Sequence, residues 1–322
     1  MLKSYPFEPR EGQNIQSTQL EAAPGFKYIT VKFLALLTCI VSWIAGEKWR
    51  VEALSDHTKD FYAILAAKVS ETYTVSSDVD LRDVVENVDL GLCFGDLFHS
   101  DLIDQGIDRT MTSEFEWAWE KANPAISDYI NDFGQLVTSD LSDDWRKHPV
   151  LLFGQKDDDH YIQLCSDRVI LFRSTEADVD DLNRPYLLYY RYSPEGNTYR
   201  ASGDGELLKM IANEIAIDLL NAFMSTALER EDYRIVSNRF NEIVLEVPDH
   251  VFSKNVVEEL LDDLPEWTHG LPLRVEASEC TLMPGNEPVD VWERSTILGS
   301  NVFIASDYTS TPDNYQPDYP EG

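Results

Sequence analysis

Positive charge is scarce in this chain: 26 Lys and Arg stand against 58 Asp and Glu in 322 residues, a formal net charge of −32. A field of that sign repels phosphate backbones, and no run of five or more basic residues offers a local exception, so weak or absent nucleic-acid binding is expected. Cysteine is sparse too. Cys39, Cys93, Cys165 and Cys280 lie far apart and form no C-x-x-C pair, which excludes a recognisable zinc motif or disulfide framework and leaves buried free thiols as the expectation. The opening MLKSYPFEPREGQN has no apolar core of the kind a signal peptide needs. The most apolar run, FLALLTCIVSWIAG at 33–46, is shorter than the roughly 20 residues that span a bilayer, and Lys32 and Glu47 bracket it. A cytoplasmic protein with no membrane partner is expected.

What is present suffices for a core. Apolar residues make up 43% of the sequence and aromatics 11%, and a chain of this length can bury roughly 75% of its unfolded surface without disulfides or metals. Residues 1–23 read as an irregular lead-in, 24–283 as the folded region, and 284–322 as a tail rich in Pro, Asp and Tyr. YITV suits a buried strand that runs into a helix over LALLTCIVSWIAG. Two short helices follow within 48–70, then one across DLRDVVENVDLGLCF and one across SEFEWAWEKANPAISDYINDFGQLV, where Pro124 should end or kink the first part. Composition then shifts: YIQLCSDRVILFRS and RPYLLYYRYSPEGNTYR alternate and read as strands of a hairpin-bearing sheet. GELLKMIANEIAIDLLNAFMSTALERE is the strongest helix, with Leu207, Ile211, Ile215, Leu219 and Phe223 on one stripe. After it come a strand over RIVSNRFNEIVLEVP, a helix over SKNVVEELLDDLPEW and a strand-like LPLRVEASECTLM.

In that order, the strand RIVSNRFNEIVLEVP, the acidic helix and LPEWTHGLPLRVEA resemble the palm end of family A DNA polymerases, the DNA polymerase I family and especially its bacteriophage members. Upstream, the strand entering a helix that ends in SWIAGE, followed by DFY, resembles the family's first catalytic block, and RDVVENVDLGLCFG resembles its fingers helix. The resemblance covers roughly 24–283 and implies an α+β fold, a palm-like antiparallel sheet with a mostly helical fingers-like subdomain. Lys32 and RFNEIV are then expected on adjacent strands.

The departures from the family pattern bear on chemistry. Two-metal phosphoryl transfer needs facing carboxylates, because Mg²⁺ takes hard oxygen ligands. The family's first metal-binding Asp falls on Lys32, and the Glu that helps select deoxynucleotides falls on Leu37. The second metal-binding Asp falls on Asn241 and its preceding His on Phe240, while Glu242 matches. In the fingers helix the phosphate-binding Lys falls on Glu86 and the stacking Tyr on Phe94, while Arg82 and Gly95 match. One charge contact near 4 Å is worth on the order of 4 kcal/mol at an effective dielectric of 20, so a carboxylate in place of the ammonium turns attraction into repulsion. The Lys32 ammonium is expected to occupy the vacated metal position and pair with Glu242.

Other candidates read more plainly. His99, His148, His160, His250 and His269 do not cluster and are assigned to loops and helix ends. The acidic runs at 156–160 and 177–183 lack the Gly and distal Glu of a calcium loop and read as solvated charge. WAWEK and YLLYYRY read as core and sheet aromatics. The resemblance with its lost ligands implies an inactive polymerase-like protein, a binding or structural subunit connected with phage DNA replication, with a protein partner, no catalytic residues, no metal and no cofactor. One alternative is a working polymerase fragment using Mg²⁺ and completed by a chain that carries thumb and exonuclease, since no blocks for those regions are seen upstream. The other is an acidic mimic of nucleic acid.

Overall fold

The protein is described by a computed structural model over residues 21–74, 79–95, 99–130, 146–147, 151–156, 159–179, 185–191 and 198–281. The lead-in to residue 20 and the tail from 284 lie outside the described residues, as does His148.

The chain enters through β1 (Phe26–Leu34), whose Ile29, Val31 and Phe33 are fully buried. Ala35 then takes a left-handed conformation, φ 47°, which turns the chain at once into α1 (Leu36–Ile44), a helix buried on nearly every side. Strand into buried helix is what the apolar run predicts. The polar break at 56–60 separates α2 (Lys48–Ser55) from α3 (Phe61–Ser70), and Asp60 caps α3 by accepting from the Ala63 N–H. Asp80 does the same for α4 (Leu81–Phe94) through the Arg82 N–H, and Gly95, at φ 63°, closes that helix. A short α5 (His99–Asp104), which its sequence does not announce, precedes α6 (Thr112–Ala122). Pro124 ends α6 as expected and opens a new helix, α7 (124–130), at the first position, where a missing N–H costs nothing.

Two antiparallel sheets follow from the rest. Strands β2 (Arg146–Lys147), β3 (Leu152–Lys156), β4 (Asp159–Gln163), β5 (Val169–Val179), β6 (Pro185–Arg191) and β7 (Thr198–Gly203) pair in sequence order as a meander. Its described buried side chains, among them Phe153, Ile162, Ile170 and Phe172, belong to the common core, and Arg168 ties the β4–β5 turn to Glu214 and Asp218 of α8 (Asp204–Leu228). The expected stripe on α8 is buried throughout. The second sheet has the order β10-β1-β9-β8, from β8 (Arg234–Arg239), β9 (Glu242–Pro248) and β10 (Arg274–Cys280), with α9 (Ser253–Asp262) between β9 and β10. Phe33 meets Phe223 of α8 edge-on at 5.3 Å, so α8 covers the odd-numbered face of β1. The fold is α+β, as expected.

Four expectations need correction. The stretch 234–248 is a hairpin rather than one strand, because Phe240 and Asn241 form a two-residue turn closed by the Arg239–Glu242 pairing. Neither turn residue has a positive φ, so the Gly-bearing signal of mirror-image hairpin turns is absent and the turn is hard to see in the sequence. His160 sits buried on β4 rather than in a loop. Cys39 and Cys93 are buried free thiols, but Cys165 and Cys280 are only half-buried. Trp119 is core, whereas Trp117, two residues earlier and so on the opposite side of α6, is 50% exposed.

One close approach fixes the relation of α4 to α8. A Cβ on Gly205 would lie 1.8 Å from the Phe94 carbonyl oxygen. Gly205→Ala is expected to destabilise the fold by about 3 kcal/mol or more, since backbone cannot yield as a side-chain tip does. Chemical denaturation checks this, and a loss below about 1 kcal/mol would contradict the packing.

Candidate functional site

The β1–β9 pairing places Lys32 opposite Glu242, and the Phe33 N–H donates to the Asn241 carbonyl at 2.7 Å, so Lys32 and the hairpin tip are neighbours as the resemblance implies. Lys32 also stands opposite Glu276 of β10, and Glu242 stands opposite Arg239 of β8. Directly opposed residues share a sheet face, and this face is opposite the one α8 covers. One row across all four strands therefore reads Glu276, Lys32, Glu242, Arg239, alternating in sign. Lys32 and Glu276 are exposed, and Glu242 is half-buried.

The expected Lys32–Glu242 salt bridge does not form. Lys32 lies in register between two glutamates, forms an ion pair with neither, and is exposed. A flanked, hydrated ammonium gains little by committing to one partner and losing rotamer freedom. Glu276 and Arg239 escaped sequence reasoning. Only the alternation within LPLRVEASEC and the register of β10 could have revealed Glu276, and the unseen hairpin hid Arg239.

The donor set does not fit a pair of divalent cations. An ammonium separates the two carboxylates of the row, Asn241 contributes no carboxylate, and among the described residues no group of three or more His, Cys, Asp or Glu side chains could hold a metal ion.

The fingers-like helix has a similar outcome. Arg82 donates through Nε to Asp60 at 2.9 Å and through Nη1 to Asp83 at 3.1 Å, and it also pairs with Glu86 one turn along α4. One guanidinium among three carboxylates leaves a local charge of −2, and hydrogen bonding to Asp60 above all holds the Arg82 pKa well above its ordinary value. Arg82 is thus occupied from within the chain, and Glu86 is one of its three partners. Phe94 is 1% exposed and packed in the core, so it presents no free ring face, and Leu37 is likewise buried. Gly95 serves as the C-cap of α4, and Phe240 is half-buried at the hairpin turn.

The motif residues SWIAGE and DFY have structural work here. Buried Glu47 accepts from the Ala125 N–H at 2.7 Å and caps α7. Below them, Arg50 and Asp89 form a fully buried ion pair, and the Trp119 indole N–H donates to Asp89 at 2.9 Å, joining α2, α4 and α6. Burial alone would lower the Arg50 pKa, but the Asp89 charge reverses that, and the guanidinium stays charged.

No protein-family model matches the chain. It is similar to the DNA polymerase of Bacillus phage SP02, 25% identical over 268 residues that make up 78% of this chain and 40% of the relative. In fold it is similar to the POL domain of Pol1 from M. smegmatis, solved in complex with DNA primer-template and dNTP, with a TM-score of 0.51, 16% identity, and coverage of 81% of this chain and 41% of that one. The chain thus spans about two fifths of the length of each. Among its described residues no helix is long and apolar enough to cross a membrane. The chain is thus similar in sequence to a phage DNA polymerase and in fold to a polymerase POL domain.

Proposed function

We infer that this chain is a catalytically inactive relative of the DNA polymerases, serving as a binding or structural subunit connected with phage DNA replication. The observation that carries this is the row Glu276–Lys32–Glu242–Arg239, which sets an ammonium between two carboxylates at the position that the resemblance assigns to a metal-binding carboxylate. The capture of Arg82 by Asp60, Asp83 and Glu86 supports it independently, because a triphosphate approaching α4 meets net negative charge. On this reading the chain needs no Mg²⁺ or other cofactor, binds nucleic acid weakly or not at all, and acts through a protein partner in the cytoplasm of a host cell.

The test is primer extension by the purified chain with Mg²⁺ or Mn²⁺, and no template-directed incorporation is expected. Incorporation that follows the chain through further purification and is lost in Glu242→Ala would overturn the reading.

A further inference from the structure

Trp117 is half exposed, and its ring already carries a cation, since the Lys121 ammonium lies 5.6 Å from the ring centroid. On the same face of α6, Glu114 and Glu120 lie three residues to either side of it, and both are exposed. Glu116 contacts His99 of α5 at 3.3 Å, and Ile103, one turn along α5 from His99, is 39% exposed. The exposed side of α6 therefore combines a half-exposed indole with flanking carboxylates, and the neighbouring α5 carries an exposed aliphatic side chain. A buried tryptophan with an acidic rim would be ordinary, but an exposed one has lost the burial that normally repays its size.

We propose that this face is a docking surface for an arginine-bearing protein segment, a proposal that rests on reading the chain as a binding subunit. Charge complementarity selects the occupant: a guanidinium can take the place of the Lys121 ammonium on the indole, stacking flat on the ring while donating to Glu114 or Glu120, which a compact ammonium does less well. Tryptophan and arginine are also the residues most often dominant at interface centres.

The probe is a fluorescein-labelled dodecapeptide of arginine, alanine and leucine, with a lysine counterpart of equal charge, followed by anisotropy at about 0.15 M salt, where long-range attraction to the −32 chain is largely screened. Trp117→Ala and the pair Glu114→Gln with Glu120→Gln are each expected to weaken the arginine peptide about tenfold or more. The exposed control pair Asp262→Asn with Glu266→Gln, equal in charge removed, is expected to change it less than about twofold. Equal losses in the two double variants, an unaffected Trp117→Ala, or equally tight lysine and arginine peptides would overturn the proposal. None of these readouts depends on primer extension, so this docking face and the inactive-polymerase reading can fail separately.

Discussion

Lys32→Asp combined with Asn241→Asp is expected to give the chain an affinity for Mn²⁺ or Ca²⁺ that the parent does not have. The register puts position 32 between Glu242 and Glu276, so the first substitution aligns three carboxylates across β10, β1 and β9, with neighbouring Cβ atoms about 5 Å apart, and the second adds a fourth at the hairpin tip. Without metal these like charges repel, and the variant should melt below the parent. With metal they become ligands, and a dissociation constant on the order of 10⁻⁴ to 10⁻³ M is expected for a site whose geometry was not built for the ion. Saturation near 100 times that constant should return about 2.7 kcal/mol of stability. Calorimetry and melting curves read the two effects. Absence of binding, or binding equal to that of the parent, would show that the alternating row is not what holds metals away. Nucleotide incorporation should stay absent even in the metal-bound variant, because Arg82 remains engaged by Asp60, Asp83 and Glu86.

The largest stability effect is expected at Arg50 and Asp89. Both side chains are fully buried, Arg50 lies 5.0 Å over the Phe61 ring, and its Nε has no hydrogen-bond partner. Asp89→Ala strands a buried guanidinium and Arg50→Ala strands a buried carboxylate, and each should cost about 3–5 kcal/mol. Replacing both together with apolar residues of similar volume, Arg50→Met with Asp89→Leu, should cost far less than the sum, since no uncompensated charge remains and the groups that lose a partner, the Trp119 N–H and the Cys93 Sγ, are neutral. A double-mutant cycle by chemical denaturation checks this. Additive losses would mean that the two charges are solvated separately and do not staple α2 to α4.

These predictions rest on residues that the sequence exposes unequally. Lys32, Leu37, Asn241, Glu86 and Phe94 stand out in the sequence only through the resemblance, which sets them against family positions by the order of their neighbours. The helices α3 and α4 are legible for a local reason, since Asp60 and Asp80 mark their starts and Gly95 marks the end of α4. The hairpin at Phe240–Asn241 is not, because a turn without Gly or positive φ leaves only a slight interruption in an apolar run. WAWEK shows the same limit: two tryptophans two residues apart take opposite sides of α6, and composition cannot say which one Asp89 will receive.

By itself, the sequence determined the net charge, the order and type of most elements and the buried stripe of α8, all of which are properties of composition or short-range periodicity. Only the tertiary structure decided that Glu276 and Arg239 extend Lys32 and Glu242 into an alternating row, that Arg82 is taken by three carboxylates, and that Lys32 stays exposed rather than pairing. Strand register and helix packing bring together residues as far apart as 32 and 276, and the free energy of a charge depends on which neighbours that assembly supplies.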